Sequence, residues 1–179
     1  MPRRTRPATL PDGPRWRAPL SYLPNVLLEP RRPLLAIAGG WLVAFPISIL
    51  LAIVARTLLP QAAAPEFEVN GLLAISALVV LAPFVETLIM GAVLLLLTGF
   101  LRAEWAVLVS AIGWGIAHSL AAPVWGLIIW WPFLIFSTLY LVWRERGVWA
   151  GIGVAAATHA LQNFIPALVV SKLIAVSVV

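Results

Sequence analysis

The feature that most constrains the fold of this chain is a set of long apolar runs without a formal charge. Residues 105–143 include no Asp, Glu, Lys or Arg over 39 positions, and residues 34–55 include none over 22. A helix of about 20 apolar residues crosses the hydrocarbon core of a bilayer, which is roughly 30 Å thick. A soluble domain carries about 25% charged residues, whereas this chain carries 11%. The sequence therefore predicts an integral membrane protein.

Charged and proline-containing segments divide the apolar sequence into about five spans. The first covers residues 34–55 and the second residues 71–100, and Ala121-Ala122-Pro123 breaks the longest run into a third and a fourth. Residues 147–171 form the fifth. The predicted fold is all-α, a polytopic bundle of transmembrane helices within residues 34–179.

Residues 1–33 form a basic, proline-rich arm that contains eight of the fifteen prolines and seven of the twelve basic residues. Proline at this density interrupts helices, so we expect an irregular segment on the membrane surface. Positive charge beside a span marks the cytoplasmic side and attracts anionic lipid. We therefore expect a cytoplasmic N-terminus and a lipid bilayer, not nucleic acid, as the partner. The loop at residues 61–70 has no basic residue and fits the opposite side.

Glu86 is the one acidic residue of the second span, and the chain has only two histidines, His118 and His159. An ionisable residue inside a span is costly and marks a candidate functional site. At a helix rise of about 1.5 Å per residue, Glu86, His118 and His159 lie roughly 18, 21 and 18 Å from the predicted inner ends of their helices. Asn163 follows His159 by four residues and projects from the same helix face. The sequence therefore predicts that these four side chains form one site near the middle of the bilayer.

This set of side chains suits the activation of water. The chain has no cysteine, and no serine or threonine has a spacing that ties it to a histidine, so a covalent hydrolase is poorly supported. Either Glu86 acts as a general base with histidine assistance, or Glu86, His118 and His159 bind a divalent metal such as zinc that acidifies a water. Asn163 is the candidate donor to the oxyanion of the attacked carbonyl. The alternative is that each residue is a structural polar group joining membrane helices.

Two motifs on separate predicted helices carry a resemblance to a known family. They are Trp114-Gly115-Ile116-Ala117-His118 and His159-Ala160-Leu161-Gln162-Asn163. In this order they resemble the second and third motifs, Phe-x-x-x-His and His-x-x-x-Asn, of the CPBP family of intramembrane proteases (CAAX proteases and bacteriocin-processing proteins, also called Abi). The dipeptide Ala82-Pro83 before Glu86 also resembles that family. The resemblance covers residues 78–166 and implies a CPBP-type helical core there.

The first motif of the family, Glu-Glu-x-x-x-Arg, is matched only in part. If Gly91 is aligned with the glycine that follows the family arginine, Val85 stands at the first glutamate, Glu86 at the second and Met90 at the arginine. If the register is shifted by one residue, Glu86 stands at the first glutamate, Thr87 at the second and Gly91 at the arginine. The two registers differ by about 100° around the helix. Neither contains the arginine, and in the first a valine replaces the water-activating glutamate of the family.

The resemblance implies an endopeptidase of a bacterial cell membrane that hydrolyses peptide bonds in or near the bilayer. Its substrate would be a membrane-associated or lipidated peptide or protein. The departures at Val85 and Met90 keep a second interpretation open, a catalytically inactive relative that binds a membrane partner or confers immunity to a bacteriocin. A third is a small proton-coupled transporter that uses Glu86 and the histidines as a relay, but no long internal repeat supports it.

Overall fold

The computed structural model describes residues 16–63, 65 and 71–171, and all regular elements in these ranges are helical. In chain order the α-helices are α1 (Asn25–Leu28), α2 (Pro33–Leu58), α3 (Gly71–Ile75), α4 (Ala82–Leu97), α5 (Ala103–Ser119), α6 (Trp125–Trp143) and α7 (Val148–Val170). A π-helical segment, Ser76–Leu81, joins α3 to α4, and 3-10 turns lie at Leu20–Tyr22 and Arg144–Arg146. The predictions for residues 1–15, for residues 64 and 66–70 of the acidic loop, and for residues 172–179 lie outside the described residues.

Four helical stretches are long and apolar enough to cross a membrane: Pro33–Leu58, Gly71–Leu97, Trp125–Arg146 and Val148–Val170. This agrees with the predicted helical membrane bundle. Helix α5 has 17 residues, which corresponds to a length of about 26 Å, so the count of five spans stays a prediction. The predicted break at residues 121–123 is confirmed, because α5 ends at Ser119 and α6 begins at Trp125.

Helix α6 lies at the centre of the bundle, and its residues from Pro132 to Trp143 are all buried. It packs against α2, α5 and α7. Between α5 and α6, the hydroxyls of Ser110 and Ser137 form a buried hydrogen bond of 3.1 Å. Such hydrogen bonds and close packing hold helices together in a bilayer, because lipid is as apolar as the protein and hydrophobic burial gives little advantage.

Helix α2 differs between its two faces. Its large apolar side chains, such as Leu50, face outward, whereas its buried positions are small: Ala36, Gly40, Ala44, Ser48 and Ala55. The spacing of four residues places most of them on one face, and that face packs on α6 and α7. This distribution is the reverse of that in a soluble protein and is the one expected for a helix between lipid and protein.

The crossing of α5 and α6 requires glycine at its closest point. A Cβ added at Gly126 would collide with the backbone carbonyl of Gly115 on the facing helix. We expect Gly126→Ala to lower the free energy of unfolding by about 1 kcal/mol or more, measured by thermal denaturation in detergent. Gly113→Ala is the matched control on α5, because nothing lies within 4 Å of a Cβ added there and alanine favours a helix. Equal losses in the two variants would contradict the close crossing.

The described part of the N-terminal arm is anchored in the bundle. Trp16 and Leu20 are buried, and the backbone N–H of Arg17 donates to Glu104 Oε1 at 3.0 Å. Burial alone would raise the pKa of the Glu104 carboxyl, but this hydrogen bond and the Arg102 guanidinium, 3.4 Å from Oε2, hold the pKa below its ordinary value. Glu104 is therefore ionised at neutral pH and binds the arm to the start of α5.

Candidate functional site

Helices α4 and α7 pack against each other and bring together two of the four predicted site residues. Glu86 Oε2 lies 3.7 Å from His159 Nε2. The histidine side chain is 5% exposed and the glutamate side chain 26% exposed. The carboxylate therefore keeps access to the outside of the bundle, whereas the imidazole is enclosed. This contact places the two side chains at one level of the bundle.

Aromatic side chains of α6 fix the ring of His159. Phe136 stacks on the imidazole at a centroid distance of 4.5 Å, and Phe133 meets it edge to face at 5.2 Å. The Nδ1 atom is buried and has no hydrogen-bond partner among the described residues. Since Nε2 faces the carboxylate, a proton on Nε2 can be donated toward Glu86, and Nδ1 then carries only a lone pair.

His118 is held beside this pair but not in contact with the carboxylate. Its Nδ1–H donates to the carbonyl of Trp114 at 2.9 Å, which leaves Nε2 as an acceptor. In the part of the chain that the structure describes, it forms no ion pair or hydrogen bond with Glu86. Its ring contacts Phe133 at 5.5 Å, so Phe133 touches both imidazoles. Trp114 stacks on the same phenylalanine at 4.4 Å and is a packing residue.

Asn163 forms a hydrogen bond with the π-helical segment that precedes α4. Its Nδ2 donates to the carbonyl of Leu78 at 3.0 Å, within the π-helical segment Ser76–Leu81. In a π-helix the carbonyl of a residue accepts from the N–H five positions later. For Leu78 that position is Pro83, which has no N–H. The Asn163 amide supplies the missing donor and ties α7 to the chain just before Glu86.

The three predicted metal ligands are not gathered into one site in this arrangement. Within residues 16–63, 65 and 71–171, no group of three or more His, Asp or Glu side chains is placed to hold a metal ion. Glu86 and His159 are neighbours, whereas His118 is connected to His159 through the ring of Phe133. The divalent metal considered from the sequence therefore stays a prediction. The pair that the arrangement offers for chemistry is Glu86 and His159.

Sequence reasoning missed a second buried polar group beside His159. Gln162 lies one turn after His159 on α7, and its Nε2 donates to Ser48 Oγ of α2 at 3.1 Å. The Ser48 hydroxyl itself donates to the carbonyl of Ala44, which fixes the direction of the bond. Gln162 Oε1 is left buried without a partner in the described residues. The signal was present, because a glutamine inside an apolar span is as unusual as the asparagine that follows it.

Comparisons with protein-family models, curated proteins and solved structures found no match to this chain. The resemblance to the CPBP family therefore rests on the ordered motifs in the sequence. The contact between Glu86 on α4 and His159 on α7 is an observation on this chain alone.

Proposed function

We propose that this protein is an intramembrane endopeptidase of the CPBP type, in which Glu86 activates water and His159 assists it. The observation that carries the proposal is the 3.7 Å contact between Glu86 Oε2 and His159 Nε2, made by two helices that are each apolar enough to span a membrane. An unpaired carboxylate at this depth is costly. A carboxylate next to a neutral imidazole is an arrangement suited to taking a proton from water and returning it.

The geometry favours the register in which Glu86 stands at the first glutamate of the family motif. Val85, the alternative, is 41% exposed, whereas Glu86 contacts the enclosed histidine His159. In this register Gly91 stands at the family arginine. A Cβ at Gly91 would lie 2.9 Å from the ring of Tyr140, so the tyrosine occupies the space that a longer side chain would need.

The proposed reaction is the hydrolysis of a peptide bond by one water molecule. Glu86 accepts a proton from the water as its oxygen bonds to the carbonyl carbon, and the carbonyl electron pair moves to the oxygen. The C–N bond then breaks and Glu86 returns the proton to the amine. His159 Nε2–H holds the carboxylate in place, and the second N–H of Asn163 is the candidate donor to the oxyanion.

The exposed side of α4 provides the access for a substrate. Phe84 and Ile89, on either side of Glu86, are both exposed apolar residues, and the Glu86 side chain is 26% exposed. A membrane-associated or lipidated peptide can reach the carboxylate from this side without crossing the packed core around α6. This fits a substrate that arrives through the bilayer.

The proposed membrane arrangement has five spans, the four candidate stretches and α5, with a CPBP-type core over residues 78–166 in a bacterial cell membrane. Helix α5 has 17 residues and contains Trp105 near its start, and aromatic residues mark a membrane interface. Helices α2 and α6 pack antiparallel, because Gly40 faces Leu139 and Val43 faces Trp131, so the arginines beside the start of α2 and the end of α6 lie at the same end of the bundle. The positive-inside rule then places the N-terminus in the cytoplasm.

A second candidate function is peptide binding without cleavage, as in an inactive relative that recognises a membrane partner or confers immunity to a bacteriocin. The bond from Asn163 to Leu78 O favours it, because it already uses one of the two amide donors of the proposed oxyanion site. The absence of an arginine at either Met90 or Gly91 favours it as well.

The test is cleavage of a fluorogenic transmembrane peptide and of a lipidated peptide in liposomes containing the purified protein. We expect His159→Ala to abolish cleavage, because it removes the partner of Glu86. Ser110→Ala is the matched control, since it removes a buried polar group of α5 that bonds to Ser137 away from the site. Unchanged cleavage by His159→Ala would refute the assignment. Binding of the peptide by the wild-type protein without cleavage would support the second candidate.

A further inference from the structure

One end of the bundle is basic. The arm, the turn after α4 and the end of α6 meet there, and this end contains three glutamates, Glu29, Glu104 and Glu145, against six of the seven arginines within the described residues: Arg17, Arg31, Arg32, Arg102, Arg144 and Arg146. The seventh, Arg56, lies at the opposite end, in the last turn of α2. An end with this charge attracts anions and the anionic headgroups of a membrane leaflet.

A cavity of about 490 Å³ opens at this basic end. It lies where the N-terminal arm meets the turn after α4 and the end of α6, and Trp16, Thr98, Leu101, Leu141 and Arg144 are among the residues that line it. Cavities of about 300–1,000 Å³ hold small ligands. The two leucines make part of the wall apolar, whereas Trp16, Thr98 and Arg144 contribute polar groups.

Two residues that line this cavity each have a buried hydrogen-bond donor without a partner among the described residues. Trp16 Nε1 and Arg144 Nη1 are both buried and make no hydrogen bond there, and Trp16 as a whole is only 8% exposed. Buried donors are almost always satisfied in folded proteins, and an unsatisfied one requires an explanation such as a ligand or an ion. An acceptor that satisfies an arginine and an indole together is an anionic oxygen.

The acidic residues nearby do not supply that acceptor. Glu104 lines the adjacent cavity with Arg17 and Arg102, and its carboxylate is already engaged with the Arg17 N–H at 3.0 Å and the Arg102 guanidinium at 3.4 Å. Glu145 lines the larger cavity and makes an interaction of its own, while Arg144 Nη1 stays without a hydrogen-bond partner in the described part of the chain.

We propose that this cavity binds the phosphate of an anionic phospholipid headgroup. Arg144 and the Trp16 indole N–H donate to the phosphate oxygens, and Leu101 and Leu141 contact the first carbons of the lipid. A lipid is favoured over free phosphate because the cavity lies at the end of a candidate span, Trp125–Arg146, at the level where headgroups are found. Its part-apolar wall also suits a ligand that carries a hydrocarbon chain.

The experiment measures lipid binding to the purified full chain by native mass spectrometry from detergent, with phosphatidylglycerol and phosphatidylcholine as probes. Both lipids carry the phosphate, but the choline of phosphatidylcholine is a cation that Arg144 and its neighbouring arginines repel, so we expect phosphatidylglycerol to bind at least about fivefold more tightly. Arg144→Gln should weaken phosphatidylglycerol binding by about tenfold, because a charge-assisted hydrogen bond to a buried donor is worth about that factor. Trp16→Phe should weaken it by a smaller factor, because it keeps an aromatic ring and removes the N–H.

Arg146→Gln is the matched control. It removes the same charge two residues away, from an exposed side chain that does not line the cavity, and should leave the affinity nearly unchanged. Equal losses in Arg144→Gln and Arg146→Gln, or equal affinity for the two lipids, would overturn the proposal. Inorganic phosphate binding as tightly as phosphatidylglycerol would overturn the assignment to a lipid. If Arg144→Gln does not fold, Trp16→Phe decides, and an unchanged affinity in that variant contradicts the site.

Discussion

Replacing Glu86 by glutamine is expected to lower the rate of peptide cleavage in liposomes by about 10²- to 10⁴-fold, the contribution usual for a general base. Glutamine has the same shape and keeps a carbonyl oxygen where the carboxylate Oε2 now lies, 3.7 Å from His159 Nε2. It cannot accept a proton from water. The loss should therefore fall on the chemical step, with peptide binding and thermal stability retained. A variant that cleaves at the wild-type rate would show that Glu86 is a structural residue.

Val85→Glu distinguishes the two registers of the first motif. If Val85 stood at the water-activating position, a glutamate there would complete the motif and raise the rate. In the structure Val85 is 41% exposed on the outer side of α4, where a charge meets lipid at a cost of about 2.5–3.5 kcal/mol on insertion scales. We therefore expect Val85→Glu to express poorly and to give no gain in cleavage. Faster cleavage by this variant would support the register in which Val85 stands at the first glutamate.

The common level of Glu86 and His159 in the bundle could be predicted because it depends only on the rise of a helix. Each residue adds about 1.5 Å, so an error of a few residues at a helix end leaves the level nearly correct. The direction of a side chain around the helix is a different quantity, since each residue turns it by about 100°. Whether His118 faces Glu86 depends on how α5 and α6 pack. Phe133, which contacts both imidazoles, is one apolar residue in a uniformly apolar helix, and nothing in the sequence distinguishes it.

The burial of Trp16 and Leu20 in the arm was also beyond the sequence. Prolines and arginines predicted an irregular surface segment, and the 3-10 turn at Leu20–Tyr22 and the short helix at Asn25–Leu28 are consistent with interrupted structure. The anchoring comes from a long-range contact, the Arg17 N–H to Glu104. No local pattern encodes such a contact.

Asn163→Ala is expected to lower the free energy of unfolding by about 1 kcal/mol, the cost of leaving a partly buried carbonyl without its donor. The group that loses its partner is the carbonyl of Leu78, which accepts from Asn163 Nδ2 at 3.0 Å. Asn163→Asp should be at least as harmful, because an ionised aspartate offers only acceptors to that carbonyl. Thermal denaturation in detergent measures both.

Combining Asn163→Ala with Pro83→Ala tests this explanation. Alanine restores an N–H five residues after Leu78, so the π-helical carbonyl regains a backbone donor, and the cost of Asn163→Ala should fall when both changes are present. Additive costs in this double-mutant cycle would contradict the structural role of the amide. The same cycle separates that role from catalysis. Suppose that the double variant recovers stability but does not cleave the peptide, while Pro83→Ala alone still cleaves it: Asn163 then acts on the reacting groups through its second N–H. If the double variant recovers both stability and cleavage, the asparagine only positions the helix that carries Glu86.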